Sequence, residues 1–150
     1  PELYRCLLET DLATPDGMPL VWFSALCGFP LPERVSGIDL LYQLFNELHK
    51  NQKSVFLFGG EEQVAQATAR ELEALYPGMK IAGIATPLVT LQSKDQMAQI
   101  VRMINESRAD LLLLNLGNPK QELWFRRARG LLHIPVTIGV GGSFSFIAHR

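Results

Sequence analysis

The sequence predicts an α/β protein with a doubly wound, mostly parallel sheet inside a three-layer αβα sandwich. Short apolar runs at 54–58, 80–85, 110–116 and 135–140 alternate with segments whose apolar residues recur at helical spacing. Three of those runs end in glycine-bearing turns, Gly59-Gly60, Gly117-Asn118-Pro119 and Gly141-Gly142, from which a helical pattern opens. Helices of this length between strands make crossovers, and crossovers join parallel strands.

Taken in order, residues 1–10 read as the remainder of a helix and 11–14 as a short strand. The composition of Pro15-Asp16-Gly17-Met18-Pro19 marks a turn. A short helix is expected over 20–27, broken by Pro30-Leu31-Pro32. Ser36 has the place of an N-cap, with Asp39 three residues on as a capping box would have it. Leu40, Leu41, Leu44, Phe45 and Leu48 then supply the buried stripe of a helix running to about Lys50.

The first repeated unit is strand 54–58, turn Gly59-Gly60 and a helix over 61–75 that Pro77-Gly78 ends. Strand 80–85 leads past Pro87 to a helix over 94–107, with Met97, Ile100, Val101 and Ile104 on one face. Strand 110–116 leads to a helix over 120–132, and strand 135–140 to a helix barely begun at Arg150. Trp22, Phe23, Trp124 and Phe125 read as core or interface aromatics, core being the first reading. No linker divides the 150 residues, so they form a single domain, and both ends read as cut: the chain starts within a helical pattern without an initiator Met.

Composition narrows the function. An apolar fraction of 47% and a formal charge of −1 describe a globular chain with no basic surplus for nucleic acid. Arg126, Arg127 and Arg129 read as a solvated helix face. Cys6 and Cys27 provide neither a disulfide framework nor a metal set and suit a reducing compartment. No apolar run approaches the roughly 20 residues a membrane helix needs, and no signal peptide opens the chain. His49, His133 and His149 are scattered, metal-ligand spacing is absent, and no cofactor is implied.

In a parallel sheet the glycine turns lie along one edge, where the N–H groups of helix N-termini suit an anion such as a diphosphate. Each glycine also has a plain reading as the residue a tight turn tolerates. Neither a dinucleotide fingerprint nor a P-loop is present, which argues against NAD binding and ATP-type phosphoryl transfer. Asp16, directly after an expected strand, is either a turn residue or a general base within reach of a substrate hydroxyl. Arg34 could pair with a phosphate or a sugar carboxylate. Asn118 and Gln121 can donate and accept, as sugar hydroxyls or a pyrimidine edge require. Lys120 opens a helix, where the dipole disfavours a cation, so a phosphate contact gives it a reason.

Five segments occur together and in order: Pro15-Asp-Gly-Met-Pro-Leu-Val-Trp22, Pro32-Glu-Arg-Val-Ser-Gly-Ile-Asp-Leu40, Phe56-Leu-Phe-Gly-Gly60, Gly117-Asn-Pro-Lys-Gln-Glu122 and Ile138-Gly-Val-Gly-Gly142. As a set they resemble the WecG/TagA/CpsF family of bacterial glycosyltransferases over nearly the whole chain. The resemblance implies a Rossmann-like core and an inverting, metal-independent transferase. Such an enzyme moves an N-acetylmannosamine-type sugar from a UDP donor to a polyprenyl-diphosphate-linked sugar, in cell-surface polysaccharide synthesis. By motif it casts Asp16 as catalytic base and puts Arg34 and Gln121 near the substrate. Gly59, Gly60, Gly117, Asn118, Gly141 and Gly142 would then shape the nucleotide-sugar site.

The resemblance also implies an amino-terminal strand–helix segment with a Thr/Asn motif, and a basic carboxyl-terminal tail that supplies arginines and touches the inner face of the cell membrane. Neither is in this sequence. Ser145 stands where an acidic residue is common and His149 where a glycine is usual. The expectation is a chain that folds and binds a nucleotide sugar but turns over weakly or not at all. The alternative is a non-catalytic nucleotide-sugar-binding domain on the same scaffold. Oligomeric state is left open.

Overall fold

A computed structural model describes residues 2–149 and bears out the α/β layout. The elements are α1 (Glu2–Leu8), α2 (Met18–Leu26), α3 (Gly37–Lys50), β1 (Ser54–Gly59), α4 (Glu62–Leu75), β2 (Lys80–Ala85), α5 (Lys94–Ser107), β3 (Leu111–Asn115), α6 (Lys120–Ala128), β4 (Val136–Gly139) and α7 (Ser143–Ala148). The four strands pair in parallel, in the order β2-β1-β3-β4.

Strand alternation divides the interior in two. Val55 and Leu57 of β1, with Leu111 and Leu113 of β3, face Leu41, Phe45, Leu72, Phe144 and Ile147 from α3, α4 and α7. Phe56, Phe58, Leu112 and Leu114 face the other way, onto Ile100, Val101, Ile104 and Trp124 from α5 and α6. Both faces of the central strands are therefore covered, which is why β1 and β3 read as unbroken apolar runs rather than alternating ones. Trp124 is fully buried, its ring 4.8 Å from that of Phe58.

Four sequence readings need correction. Residues 11–14 have no regular structure and are exposed. Leu12 is the run's only large apolar side chain, too little to bury a face, and the segment is fastened instead by Val35 N–H donating to Pro15 O at 3.0 Å. Ser36 is the N-cap of α3, but its hydroxyl makes no capping bond, so no capping box forms with Asp39; the side-chain cap is found at α5, where Ser93 accepts from Gln96 N–H. The helix expected to reach residue 132 stops at Ala128. Gly130 follows, and the Asn105 side chain takes hold of the next turn through Leu131 O and His133 N–H. Trp22 and Phe23 are not core: they are 63% and 65% exposed, and no α2 residue enters either apolar cluster. Every face of α2 is apolar, so helical period alone gave no inward side. The expected helix start at Pro1 and the end at Arg150 lie outside the described residues.

Candidate active site

All four strands run the same way, so Gly59, Asn115 and Gly139 end their strands on one edge of the sheet. The strand order reverses between β1 and β3, the place where open α/β sheets receive ligands. There the Gly59-Gly60 turn is closed onto the tip of β3. A Cβ on Gly59, whose φ is +94°, would lie 2.5 Å from Asn115 O, and one on Gly60 would lie 2.7 Å from Asn115 Nδ2.

Beside this point, around the ends of β3 and β4, a cleft of about 570 Å³ opens. Four stretches of chain build it. Thr14 and Asp16 come from the segment before α2, and Gly37, Leu40 and Leu41 from the start of α3. Asn118, Gln121 and Glu122 come from the turn into α6; the fourth stretch runs from Ile138 through Gly141, Gly142 and Ser143 to Phe146. The first turns of α3 and α6 thus both border the cleft, and their positive dipole ends favour an anionic ligand.

Asp16 is exposed and lies over the start of α3, where a Cβ on Gly37 would be 3.5 Å from its Oδ2. That placement leaves the carboxylate free to meet a hydroxyl entering the cleft. Arg34 is exposed and does not line the cleft, but the Val35–Pro15 hydrogen bond keeps its loop alongside the Asp16 turn.

Among the polar side chains lining the cleft, Gln121 is buried and bonded at both ends of its amide. It is 9% exposed, and its backbone N–H donates to Gly117 O at 2.9 Å. Its Oε1 accepts from Gly141 N–H at 3.2 Å and its Nε2 donates to Glu122 Oε1 at 2.9 Å. The amide therefore ties the α6 turn to the β4–α7 turn, two of the glycine turns singled out by sequence. Gly139 makes room for it, since a Cβ there would stand 3.0 Å from Gln121 Nε2.

Among the residues expected from sequence, the cleft gathers Asp16, Asn118, Gln121, Gly141 and Gly142. Gly59, Gly60, Gly117 and Lys120 sit on the same edge of the sheet without lining it. Sequence reasoning passed over Thr14, Gly139 and Glu122. The signal for Glu122 was present. An acidic residue in a helix's first turn usually reads as a capping-box partner, but the N-cap here is Pro119, which has no N–H to offer. Among the described residues no three His, Cys, Asp or Glu side chains come together as a metal site would need, and no helix is long and apolar enough to cross a membrane. Away from the cleft, the Arg126 hydrogen bond holds the Glu9 carboxyl below its ordinary value.

Residues 1–150 match the family model described as "Glycosyl transferase WecG/TagA/CpsF family". Three similar relatives carry the name N-acetylglucosaminyldiphosphoundecaprenol N-acetyl-beta-D-mannosaminyltransferase. The protein of Bacillus spizizenii W23 is 33% identical across 96% of this chain and 54% of its own length. That of Bacillus subtilis 168 is 29% identical across 95% and 54%, and that of Staphylococcus aureus NCTC 8325 is 29% identical across 93% and 53%. The chain thus spans about half the length of the curated relatives it matches.

Proposed function

Because the chain belongs to the WecG/TagA/CpsF family of glycosyl transferases, we propose that it carries the catalytic core of a glycosyltransferase. The reaction would move an N-acetylmannosamine-type sugar from a UDP-sugar to a polyprenyl-diphosphate-linked sugar in bacterial cell-surface polysaccharide synthesis. The relatives' names supply the acceptor class and the transferred sugar. The observation that carries the reading is the convergence of Asp16, Gln121 and the Gly141-Gly142 turn, from three distant stretches of chain, on one cleft at the carboxyl edge of the sheet.

In this scheme Asp16 takes the proton of the acceptor hydroxyl as its oxygen attacks the anomeric carbon of the donor. The bond from that carbon to the β-phosphate oxygen breaks, and its electron pair leaves with UDP. One displacement at one carbon inverts its configuration. The diphosphate lies toward the first turn of α6, where Lys120 and the helix N-terminus offset the charge of departing UDP without a metal. Asn118 and Gln121 bind sugar hydroxyls or the uracil edge, and Arg34 meets a phosphate or sugar carboxylate from the rim. The glycine turns, Gly59-Gly60 and Gly117 included, let the backbone approach the nucleotide. The protein works at the inner face of the cell membrane, where its lipid-linked acceptor resides.

Two measurements test this. Calorimetric titration of residues 1–150 should show binding of UDP-N-acetylmannosamine and UDP, and none of NAD or S-adenosylmethionine. In the full-length protein, Asp16→Asn should lower acceptor-dependent UDP release by about 10²–10⁴-fold, the range for a lost general base, with donor affinity nearly unchanged. Unaltered turnover in that variant would remove Asp16 from the mechanism. Donor binding without any acceptor-dependent UDP release from the unaltered full-length protein would instead make the fold a binding module.

A further inference from the structure

Glu122 lies at the wall of the cleft with its carboxylate divided between two situations. Oε1 accepts the Nε2–H of Gln121 at 2.9 Å, whereas Oε2 is buried and finds no hydrogen-bond partner among the described residues. A buried carboxylate oxygen without a donor is costly, so the local fold keeps this group in place for something other than its own satisfaction. The usual duty of a glutamate at this helical position is excluded, because Pro119 has no N–H to take.

The consequence falls on Gln121. An amide can present either end to a ligand, and which end faces which way follows from its fixed partners. Here Gly141 N–H can only donate, so it takes Oε1; a carboxylate Oε1 on Glu122 can only accept, so it takes Nε2. With both ends assigned, one N–H of Nε2 and one lone pair of Oε1 are left in a fixed arrangement, packed against the backbone of Gly139.

We propose that Glu122 is a positioning residue: together with the Gly141 N–H it locks the orientation of the Gln121 amide, and so holds in place the donor and the acceptor that Gln121 shows to the nucleotide sugar. The role deepens the reading of the cleft as a UDP-sugar site and rests on it. Preorganised polar groups contribute most when supporting hydrogen bonds have already fixed them.

A double-mutant cycle in the full-length protein tests it, with affinity for UDP-N-acetylmannosamine and the side-chain amide NMR signals of Gln121 as readouts. Gln121→Ala and Glu122→Ala should each weaken binding by about tenfold, and the double variant should be weaker than either single one by no more than about threefold. Glu122→Gln, which keeps a carbonyl acceptor, should restore most of the affinity. In Glu122→Ala the two Gln121 amide protons should move from shifts set by their fixed hydrogen bond to those of a solvated glutamine side chain, and exchange faster with water. Losses that multiply in the double variant would overturn the proposal, because Glu122 would then act independently of Gln121. Unchanged Gln121 signals in Glu122→Ala would overturn it as well, and that readout stands even if the unaltered protein binds no UDP-sugar, which would instead sink the functional reading. If Glu122→Ala fails to fold, Glu122→Leu at similar volume carries the same two readouts.

Discussion

Gly59 and Gly139 both end strands on the ligand edge, yet what faces them gives them different jobs. A methyl group on Gly59 would meet backbone, Asn115 O at 2.5 Å, at a φ of +94° that side chains rarely adopt. Neither obstacle can swing aside, so Gly59→Ala should lower unfolding free energy by on the order of 3 kcal/mol, read from urea denaturation. On Gly139 the same methyl meets the far end of one side chain, Gln121 Nε2 at 3.0 Å and Cδ at 3.1 Å. The contact asks the Gln121 amide to give by only a few tenths of an ångström, so Gly139→Ala should leave stability within about 1 kcal/mol while weakening UDP-sugar binding about tenfold, as expected for a displaced polar contact. Equal stability losses in the two variants would refute the distinction. From sequence Gly59 was legible as a turn residue and Gly139 only as part of the fourth strand, because whether a glycine serves packing or ligand depends on what the fold places opposite it. Gln121 was legible as a polar residue at a helix start. Its lock on Gly141 was not, because the two lie 20 residues apart and meet only once β3 and β4 pair.

At the scale of elements, β1 and β3 are registered by apolar pairing along their length and by one polar clasp at their beginning. Asp110, just before β3, accepts from Ser54 N–H at 2.8 Å and from Lys53 Nζ at 3.0 Å. The Ser54 backbone bond, followed by Lys53, holds the Asp110 carboxyl below its ordinary value of 3.8. A carboxyl depressed in the folded chain binds fewer protons there than in the unfolded one. Its stabilisation is therefore present above the unfolded pKa and lost as pH falls through the folded one. Asp110→Asn should destabilise the protein by about 1 kcal/mol near neutral pH, the scale of a partly exposed charge-assisted bond, with the difference from the unaltered chain shrinking steadily below about pH 4. Urea unfolding of both chains across that range measures it; a difference independent of pH would assign the clasp to shape rather than charge. The βα units themselves were plain in the sequence, since amphipathic period and glycine turns agreed. The segment 11–14 and α2 were not. A few apolar residues in a row contain no statement about which neighbour, if any, covers them.

Across the whole molecule, burial is concentrated in a block that excludes its own most apolar helix. The two clusters around β1 and β3 take in side chains from α3, α4, α5, α6 and α7. Helix α1 buries only Cys6, and its end is tied to α6 by polar means, with Arg126 donating to Glu9, just past the helix, at 3.0 and 3.2 Å. Helix α2 contributes to neither cluster: Leu20, Trp22, Phe23 and Leu26 are 59%, 63%, 65% and 83% exposed. Nine residues are too few to hold a helix in water on propensity alone, and among the described residues no α2 side chain is fully buried, so α2 should open locally. Opening free energy should follow burial. In amide hydrogen exchange of residues 1–150, the β1 and β3 amides should exchange only through global unfolding, and those of α2 at least about a hundredfold faster through local opening. Protection of α2 equal to that of β1 would mean that its apolar faces are covered in solution. A protein-concentration series would then assign the cover: protection that falls on dilution belongs to a second copy of the chain, and protection that persists belongs to the chain itself.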